Sequence, residues 1–215
     1  MTGKLGVVLS GRGSNFEAIA ANIKDGVLPA KIAVVISNRP EARGLDRASE
    51  LGLPAICLPS RGVPREEYDR QLAQELKRWD VELVCLAGFM RLLTPGFIRQ
   101  FPRAILNIHP SLLPAFPGLN AQAQALAHGV KVTGCTVHFV DEELDAGPIV
   151  AQAAVPVLED DTADSLSARI LIEEHRLYSK AIRLVLSGHY RLEGRRVLSL
   201  PCGGDRVLPA ERPGC

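Results

Sequence analysis

The sequence predicts an α/β fold, an open and mostly parallel sheet flanked by helices. Three observations predict it. Short β-branched runs recur at 5–9, 32–36, 55–58, 81–86 and 104–108; segments of helical apolar spacing, such as Ile19 with Ile23 and Leu72 with Leu76, separate them; and the runs are apolar on successive residues. Strand alternating with helix implies parallel pairing through crossover helices. Unbroken apolar runs belong to strands covered on both faces, since a half-exposed strand would alternate.

After residue 108 the rhythm changes. Pro110, Pro114 and Pro117 mark a loop, a helix is expected at 120–127, and two long runs at 132–140 and 148–157 read as an antiparallel pair extending the sheet. A long helix is predicted over 162–186, opened by Asp161 or Thr162 as N-cap and closed by Gly188. From His189 to Cys215 the chain is rich in Arg, Gly and Pro, which predicts a short irregular strand and then a mobile end. No repeat or linker interrupts the chain, so one domain is expected over 1–190, with an irregular, partly mobile tail over 191–215.

Composition narrows the class. With 47% hydrophobic and 23% charged residues among 215, the chain is too apolar to stay disordered. A formal net charge of +1 provides no overall field toward nucleic acid or an anionic membrane. The N-terminal apolar run is too short for a signal-peptide core or a membrane span, so a cytoplasmic location is expected. Cys57, Cys85, Cys135, Cys202 and Cys215 form no C-x-x-C pair. Reduced thiols are expected, with Cys57, Cys85 and Cys135 serving as small core residues in strand-like runs.

Between the first strand and the first helix lies Ser10-Gly11-Arg12-Gly13-Ser14-Asn15-Phe16. Glycines let the backbone turn sharply there, and the free N–H groups of a helix N-terminus form an anion site. Phe16 stands where a dinucleotide fingerprint needs its third glycine, and no Gly-Lys-Ser/Thr follows, so a phosphomonoester is favoured over NAD or ATP. The plainer alternative is a tight turn with Ser14 or Asn15 as an ordinary N-cap.

Leu106-Asn107-Ile108-His109-Pro110 ends a predicted strand, which turns Asn107 and His109 to one side and Leu106 and Ile108 to the other. Open α/β sheets bind ligands beyond the carboxyl ends of their strands, where this pair and the glycine loop both fall. An Asn amide and a protonated imidazole can donate to the oxygen of a tetrahedral intermediate, as acyl transfer requires. Free histidine titrates near ~6.5, and a neighbouring carboxylate favours the imidazolium. Asp145, on a loop ending in Gly147-Pro148, can supply one. Two structural readings stay open: His109 as a strand cap, and 141–145 as a solvated acidic turn. His109, His128, His138 and His175 lack metal-ligand spacing, with His138 inside a predicted strand, and no G-x-S-x-G elbow surrounds Ser111.

Taken together, Ser10-Gly11-Arg12-Gly13-Ser14-Asn15, Leu86-Ala87-Gly88-Phe89-Met90-Arg91, Leu106-Asn107-Ile108-His109-Pro110-Ser111-Leu112-Leu113-Pro114, Val137-His138-Phe139-Val140 and Asp145-Ala146-Gly147-Pro148 resemble the glycinamide ribonucleotide formyltransferase family, in order, from Gly6 to about Tyr190. The resemblance implies a Rossmann-like formyltransferase fold, its N-terminal half binding the phosphorylated substrate and its C-terminal half carrying the folate site and catalytic loop. It implies transfer of a formyl group from 10-formyltetrahydrofolate to the amine of glycinamide ribonucleotide in purine synthesis, with no metal and no covalent intermediate. Asn107, His109 and Asp145 are then the catalytic trio, Gly13, Ser14 and Asn15 bind the ribose phosphate, and Glu174 holds ribose hydroxyls. Arg65, Met90, Arg91, Leu92 and Leu93, with Asn107, line the folate site. The partners implied are small molecules, without nucleic acid or membrane, for a monomer or homodimer. Without the resemblance, Glu174 reads as a surface helix charge and 90–93 as core plus one solvated arginine.

Two positions depart from the family pattern: Asn120 stands where histidine is usual, and Arg12 where asparagine is frequent. Methionyl-tRNA formyltransferase and formyltetrahydrofolate hydrolase share the Asn-x-His and Asp elements but are expected to be longer. A non-catalytic phosphosugar-binding module would explain the glycine loop and leave Asn107, His109 and Asp145 without a role.

Overall fold

The structure, a computed structural model, describes residues 2–200. Its first half alternates strand and helix: β1 (Gly3–Leu9), α1 (Ser14–Lys24), β2 (Ala30–Ser37), α2 (Arg43–Glu50), β3 (Ala55–Cys57), α3 (Arg65–Arg78), β4 (Leu83–Leu86), α4 (Pro95–Ile98) and β5 (Ile105–His109). The second half holds α5 (Ala121–Ala127), β6 (Val132–Phe139), β7 (Ile149–Pro156), α6 (Ala163–Ser187), β8 (Tyr190–Glu193) and β9 (Arg196–Ser199). All nine strands among the described residues join one sheet in the order β3-β2-β1-β4-β5-β6-β7-β9-β8. The pairs from β3 to β5 are parallel, whereas β5 with β6 and β6 with β7 are antiparallel.

Apolar side chains leave both faces of the parallel strands. Val7 and Leu9 of β1 pack with Phe16 and Ile19 of α1 and with Ile170, Tyr178 and Ile182 of α6. Val8, between them, points the other way, toward Tyr68, Leu72 and Leu76 of α3 and Phe97 of α4. This two-sided burial is what the unbroken apolar runs require. Leu106 and Ile108 of β5 join the first cluster, so period two sends Asn107 and His109 to the opposite face.

Boundaries differ from the sequence reading where a local hydrogen bond wins. Val81 is apolar but stays out of β4, because its N–H donates to the Leu76 carbonyl at 3.1 Å in the turn that closes α3. Asn120 lies just outside the helix expected to contain it, whereas α6 opens on Thr162, one of the two N-caps expected. Asn120 is the left-handed N-cap of α5, and Thr162 caps α6 with its side chain accepting from the Ser165 N–H while the Ser165 hydroxyl accepts from the Thr162 N–H. Gly188 ends α6 at φ 66°. In place of an irregular strand after 189, β8 and β9 form a regular antiparallel hairpin whose β9 pairs with β7 at Ile149 and Arg196. Tyr190 seats it against Phe139, with ring centroids 5.8 Å apart. The mobile end expected beyond it, with Cys202 and Cys215, lies outside the described residues.

Strand order reverses between β1 and β4, since the chain winds outward through β2 and β3 and then returns to the other side of β1. Such a reversal opens a crevice at the carboxyl ends of the two strands. There the Ser10 N–H donates to the Gly88 carbonyl at 3.1 Å, the Ser10 hydroxyl donates to Asn38 Oδ1 at 2.6 Å, and the Met90 N–H donates to Ser10 Oγ at 2.9 Å. These bonds knit the glycine loop to the 88–93 segment.

Candidate active site

At one end of the crevice is the start of α1. Its N-cap is Gly13 at φ 79°, with no side-chain cap, and Ser14 and Asn15 are the first helical residues. The reading of Ser14 or Asn15 as a plain N-cap is therefore corrected. A glycine cap leaves the first-turn N–H groups without an intrahelical or side-chain acceptor, which is what an anion needs. Asn15 reaches across to α6, where its Nδ2 donates to Glu174 Oε2 at 2.7 Å, and its Oδ1 is buried without a partner. Glu174 is only 7% exposed, so it is not the surface charge that helix position alone suggests. Burial raises its pKa above the ordinary carboxylate value, partly offset by the Asn15 bond. A desolvated carboxylate beside an uncapped helix start suits hydroxyl donors next to an anion, the pattern of a sugar phosphate.

At the end of β5 four polar side chains converge. Antiparallel register sets Asn107 opposite His138 and His109 opposite Thr136. The loop after β6 brings in Asp145, in the left-handed region at φ 50°, a conformation Asp tolerates better than most residues. Gly147 makes that approach feasible, because a Cβ there would collide with the Phe139 carbonyl. Asp145 Oδ2 accepts from the Gly118 N–H at 2.8 Å and lies 3.4 Å from His109 Nδ1. The other ring nitrogen, Nε2, is 2.8 Å from the Phe116 carbonyl. Carboxylate and carbonyl oxygens are both acceptors, so pairing both nitrogens requires both to carry protons. The strand-cap and solvated-turn alternatives do not describe this arrangement: Asp145 and His109 side chains are 9% and 6% exposed and face each other.

His138 is the residue that sequence reasoning missed. It lies in a strand, as expected, but its ring is 2% exposed inside the cluster, with Nε2 3.2 Å from Asn107 Nδ2 and 3.7 Å from Asp145 Oδ1. Burial pushes its pKa below the ordinary value, against smaller opposing effects of the Phe139 carbonyl and Asp145. Only strand pairing brings it to Asn107, and one sequence carries no direct signal of register. Sequence reasoning likewise gives no role to Tyr178, whose hydroxyl contacts the Leu86 and Leu106 carbonyls at 3.0 Å each, pinning α6 to the ends of β4 and β5.

The 90–93 stretch reverses its unaided reading. Met90 and Leu92 are exposed, at 56% and 52%, while Arg91 stacks its guanidinium 4.7 Å over the Tyr68 ring and donates to the Ser60 carbonyl at 3.3 Å. Leu93 is partly buried against the second core cluster. Exposed apolar side chains at the crevice offer a surface for a flat ring. Arg65 is on the exposed first turn of α3, three residues before Tyr68 and so on its helix face; no contact ties it to the Asn107 cluster. Asn120 is likewise exposed, two residues after Gly118, whose N–H donates to Asp145. Among the described residues no group of three His, Cys, Asp or Glu is arranged to hold a metal ion, and no helix is long and apolar enough to cross a membrane.

Residues 4–182 match the family described as "Formyl transferase". The chain is 45% identical over 188 residues to the trifunctional purine biosynthetic protein adenosine-3 of Drosophila melanogaster, an alignment covering 86% of this chain and 14% of that one. It is 41% identical over 187 residues to the phosphoribosylglycinamide formyltransferase of Escherichia coli (strain K12), covering 86% and 88% respectively. Among solved structures, glycinamide ribonucleotide transformylase 1 from Symbiobacterium toebii superimposes with a TM-score of 0.91 at 53% identity, covering 93% of this chain and 95% of that one. The chain thus spans a small part of the trifunctional relative and most of the bacterial ones.

Proposed function

The chain belongs to the formyl transferase family, and we propose accordingly that it transfers the formyl group of 10-formyltetrahydrofolate to the amine of glycinamide ribonucleotide, yielding formylglycinamide ribonucleotide and tetrahydrofolate in purine biosynthesis. The observation that carries the reading is the pairing of His109 Nδ1 with Asp145 Oδ2 at 3.4 Å, on the strand end that also presents Asn107. The names of the bacterial relatives support glycinamide ribonucleotide as the acceptor of a formyl group.

In this mechanism the substrate amine attacks the formyl carbon, and the carbonyl electron pair moves onto oxygen. Asn107 Nδ2–H and a His109 N–H donate to that oxygen as charge develops, and Asp145 holds the imidazolium. His109 Nε2–H is engaged by the Phe116 carbonyl, so the formyl oxygen takes the place of that acceptor. The intermediate collapses as the bond from carbon to folate nitrogen breaks, and the net proton passes from the attacking amine to that nitrogen. The α1 N-terminus with Gly13, Ser14 and Asn15 receives the phosphate, and Glu174 accepts from ribose hydroxyls. Met90 and Leu92 cover the pterin, with Arg91, Leu93 and Arg65 flanking it. A single domain acting in the cytoplasm on small molecules, as monomer or homodimer and without a metal, goes with this reading.

The test is tetrahydrofolate release from 10-formyltetrahydrofolate by the purified protein, with and without glycinamide ribonucleotide. Release is expected only with the amine; release without it assigns a hydrolase. His109→Ala is expected to slow transfer by at least a hundredfold, and a rate within a few-fold of the parent overturns the mechanism.

A further inference from the structure

We propose that His138 is a positioning residue, whose neutral ring accepts a hydrogen bond from Asn107 and thereby aims the remaining amide N–H at the developing oxyanion. The inference rests on Asn107 being an oxyanion donor, as proposed above.

The fixed partner of the ring sets its protonation. A backbone carbonyl can only accept, so His138 Nδ1, 2.9 Å from the Phe139 carbonyl, must be the protonated nitrogen. Burial at 2% exposure disfavours a second proton, which leaves Nε2 with a lone pair. Asn107 Nδ2 sits 3.2 Å from that lone pair, within the range of an N–H donor. Had the carboxamide been turned the other way, Oδ1 would oppose Nε2, two acceptors in a buried site, and both would lose a partner. His138 therefore selects one of two amide orientations that are otherwise nearly equivalent in shape. With one Nδ2–H committed, the second points away from the ring and is free for substrate.

Asp145 does not compete for this role. Its Oδ1 is 3.7 Å from His138 Nε2, beyond hydrogen-bond length, and its Oδ2 faces His109 and Gly118. The site thus contains two imidazoles with opposite hydrogen-bond patterns: His109 between two acceptors, and His138 between one acceptor and one donor. His138 acts on the reaction through Asn107, to which its Nε2 is paired, which makes it a positioning residue rather than a catalytic one.

Two measurements test the proposal. In the intact ligand-free protein, long-range nitrogen-15 NMR of the imidazoles is expected to report His138 as the neutral Nδ1–H tautomer at pH 7; an Nε2–H tautomer or an imidazolium overturns the bond to Asn107. In steady-state assays, His138→Ala is expected to lower kcat by roughly 10- to 100-fold, the scale of a misaimed reacting group, with both KM values within about threefold. His138→Gln, whose carbonyl oxygen can accept from Asn107, is expected to recover most of that loss. Combining His138→Ala with Asn107→Ala is expected to cost no more than Asn107→Ala alone, because one group acts through the other. A fully additive double variant, or a folded His138→Ala with parental kcat, overturns the proposal. Should His138→Ala not fold, the glutamine variant and the tautomer decide it. Parent protein that transfers no formyl group would instead refute the function proposed above, and the tautomer would still report on the bond.

Discussion

Replacing Asp145 with Asn probes the charge that the mechanism requires while sparing the shape of the site. Two opposite unit charges 3.4 Å apart attract by ~5 kcal/mol at an effective dielectric of about 20. Part of that attraction is already present before reaction, so only the portion gained as the oxyanion and imidazolium come together appears in the rate. At ~1.4 kcal/mol per tenfold, a gain of roughly 3–4 kcal/mol corresponds to a hundred- to thousandfold fall in kcat. Asp145 touches His109 and the Gly118 N–H and makes no proposed contact with substrate, so both KM values are expected to stay within about threefold. The carboxamide oxygen of the Asp145→Asn side chain can still accept from the Gly118 N–H, a bond of 2.8 Å in the parent. The thermal midpoint is therefore expected to move by no more than ~4 °C, about 1 kcal/mol for a domain of this size. Stopped-flow or steady-state absorbance of tetrahydrofolate formation, beside a melting curve, reads all three. A folded Asp145→Asn protein keeping more than a third of the parental kcat would refute the charge argument.

Further expectations follow from the same geometry. Glu174→Gln exchanges a desolvated carboxylate, whose pKa burial already raises, for a neutral group that can still pair with Asn15. The melting temperature at pH 7 is expected to hold or rise, while KM for glycinamide ribonucleotide rises roughly tenfold from the lost charged hydrogen bonds; an unchanged KM removes Glu174 from the ribose site. Burial lowers the pKa of His138, so on acidification the unfolded chain takes up a proton near ~6.5 that the folded one refuses. Stability is therefore expected to fall as pH drops through that value, by at most ~1.4 kcal/mol per unit for this group. His138→Gln should remove that component, and denaturant midpoints at pH 7.5 and 5.5 measure it. Gly147→Ala drives a methyl against the Phe139 carbonyl, and the Asp145 loop must shift; activity is expected to drop at least tenfold with α6 and the parallel strands still protected from hydrogen exchange. Parental activity in that variant would show that the loop tolerates displacement.

Much of the architecture is legible in the sequence because its causes are local or periodic. Unbroken apolar runs announce strands covered on both faces, the Thr162 cap and Gly188 bound α6, and period two separates Asn107 and His109 from Leu106 and Ile108. The glycine loop announces an anion site through backbone chemistry alone, and ordered motifs point to the family. Departures fall where a local turn bond or a long-range contact overrides the apolar pattern. Val81 leaves its strand for a turn bond, Met90 and Leu92 surface while Arg91 tucks over Tyr68, and residues after His189 form a hairpin because β7 offers an edge to pair with.

The catalytic constellation divides along the same line. Alternation along a strand is a property of the backbone, so residue order alone places Asn107 and His109 on one face of a strand end. Residue order also names the candidates for an anion site and for a carboxylate. It takes the packed chain to bring Asp145 to His109, Asn15 to Glu174, and His138 to Asn107. Those contacts join residues 36, 159 and 31 positions apart, and they depend on sheet register, loop closure and burial. No residue's own preferences encode those quantities; they arise when the whole chain packs.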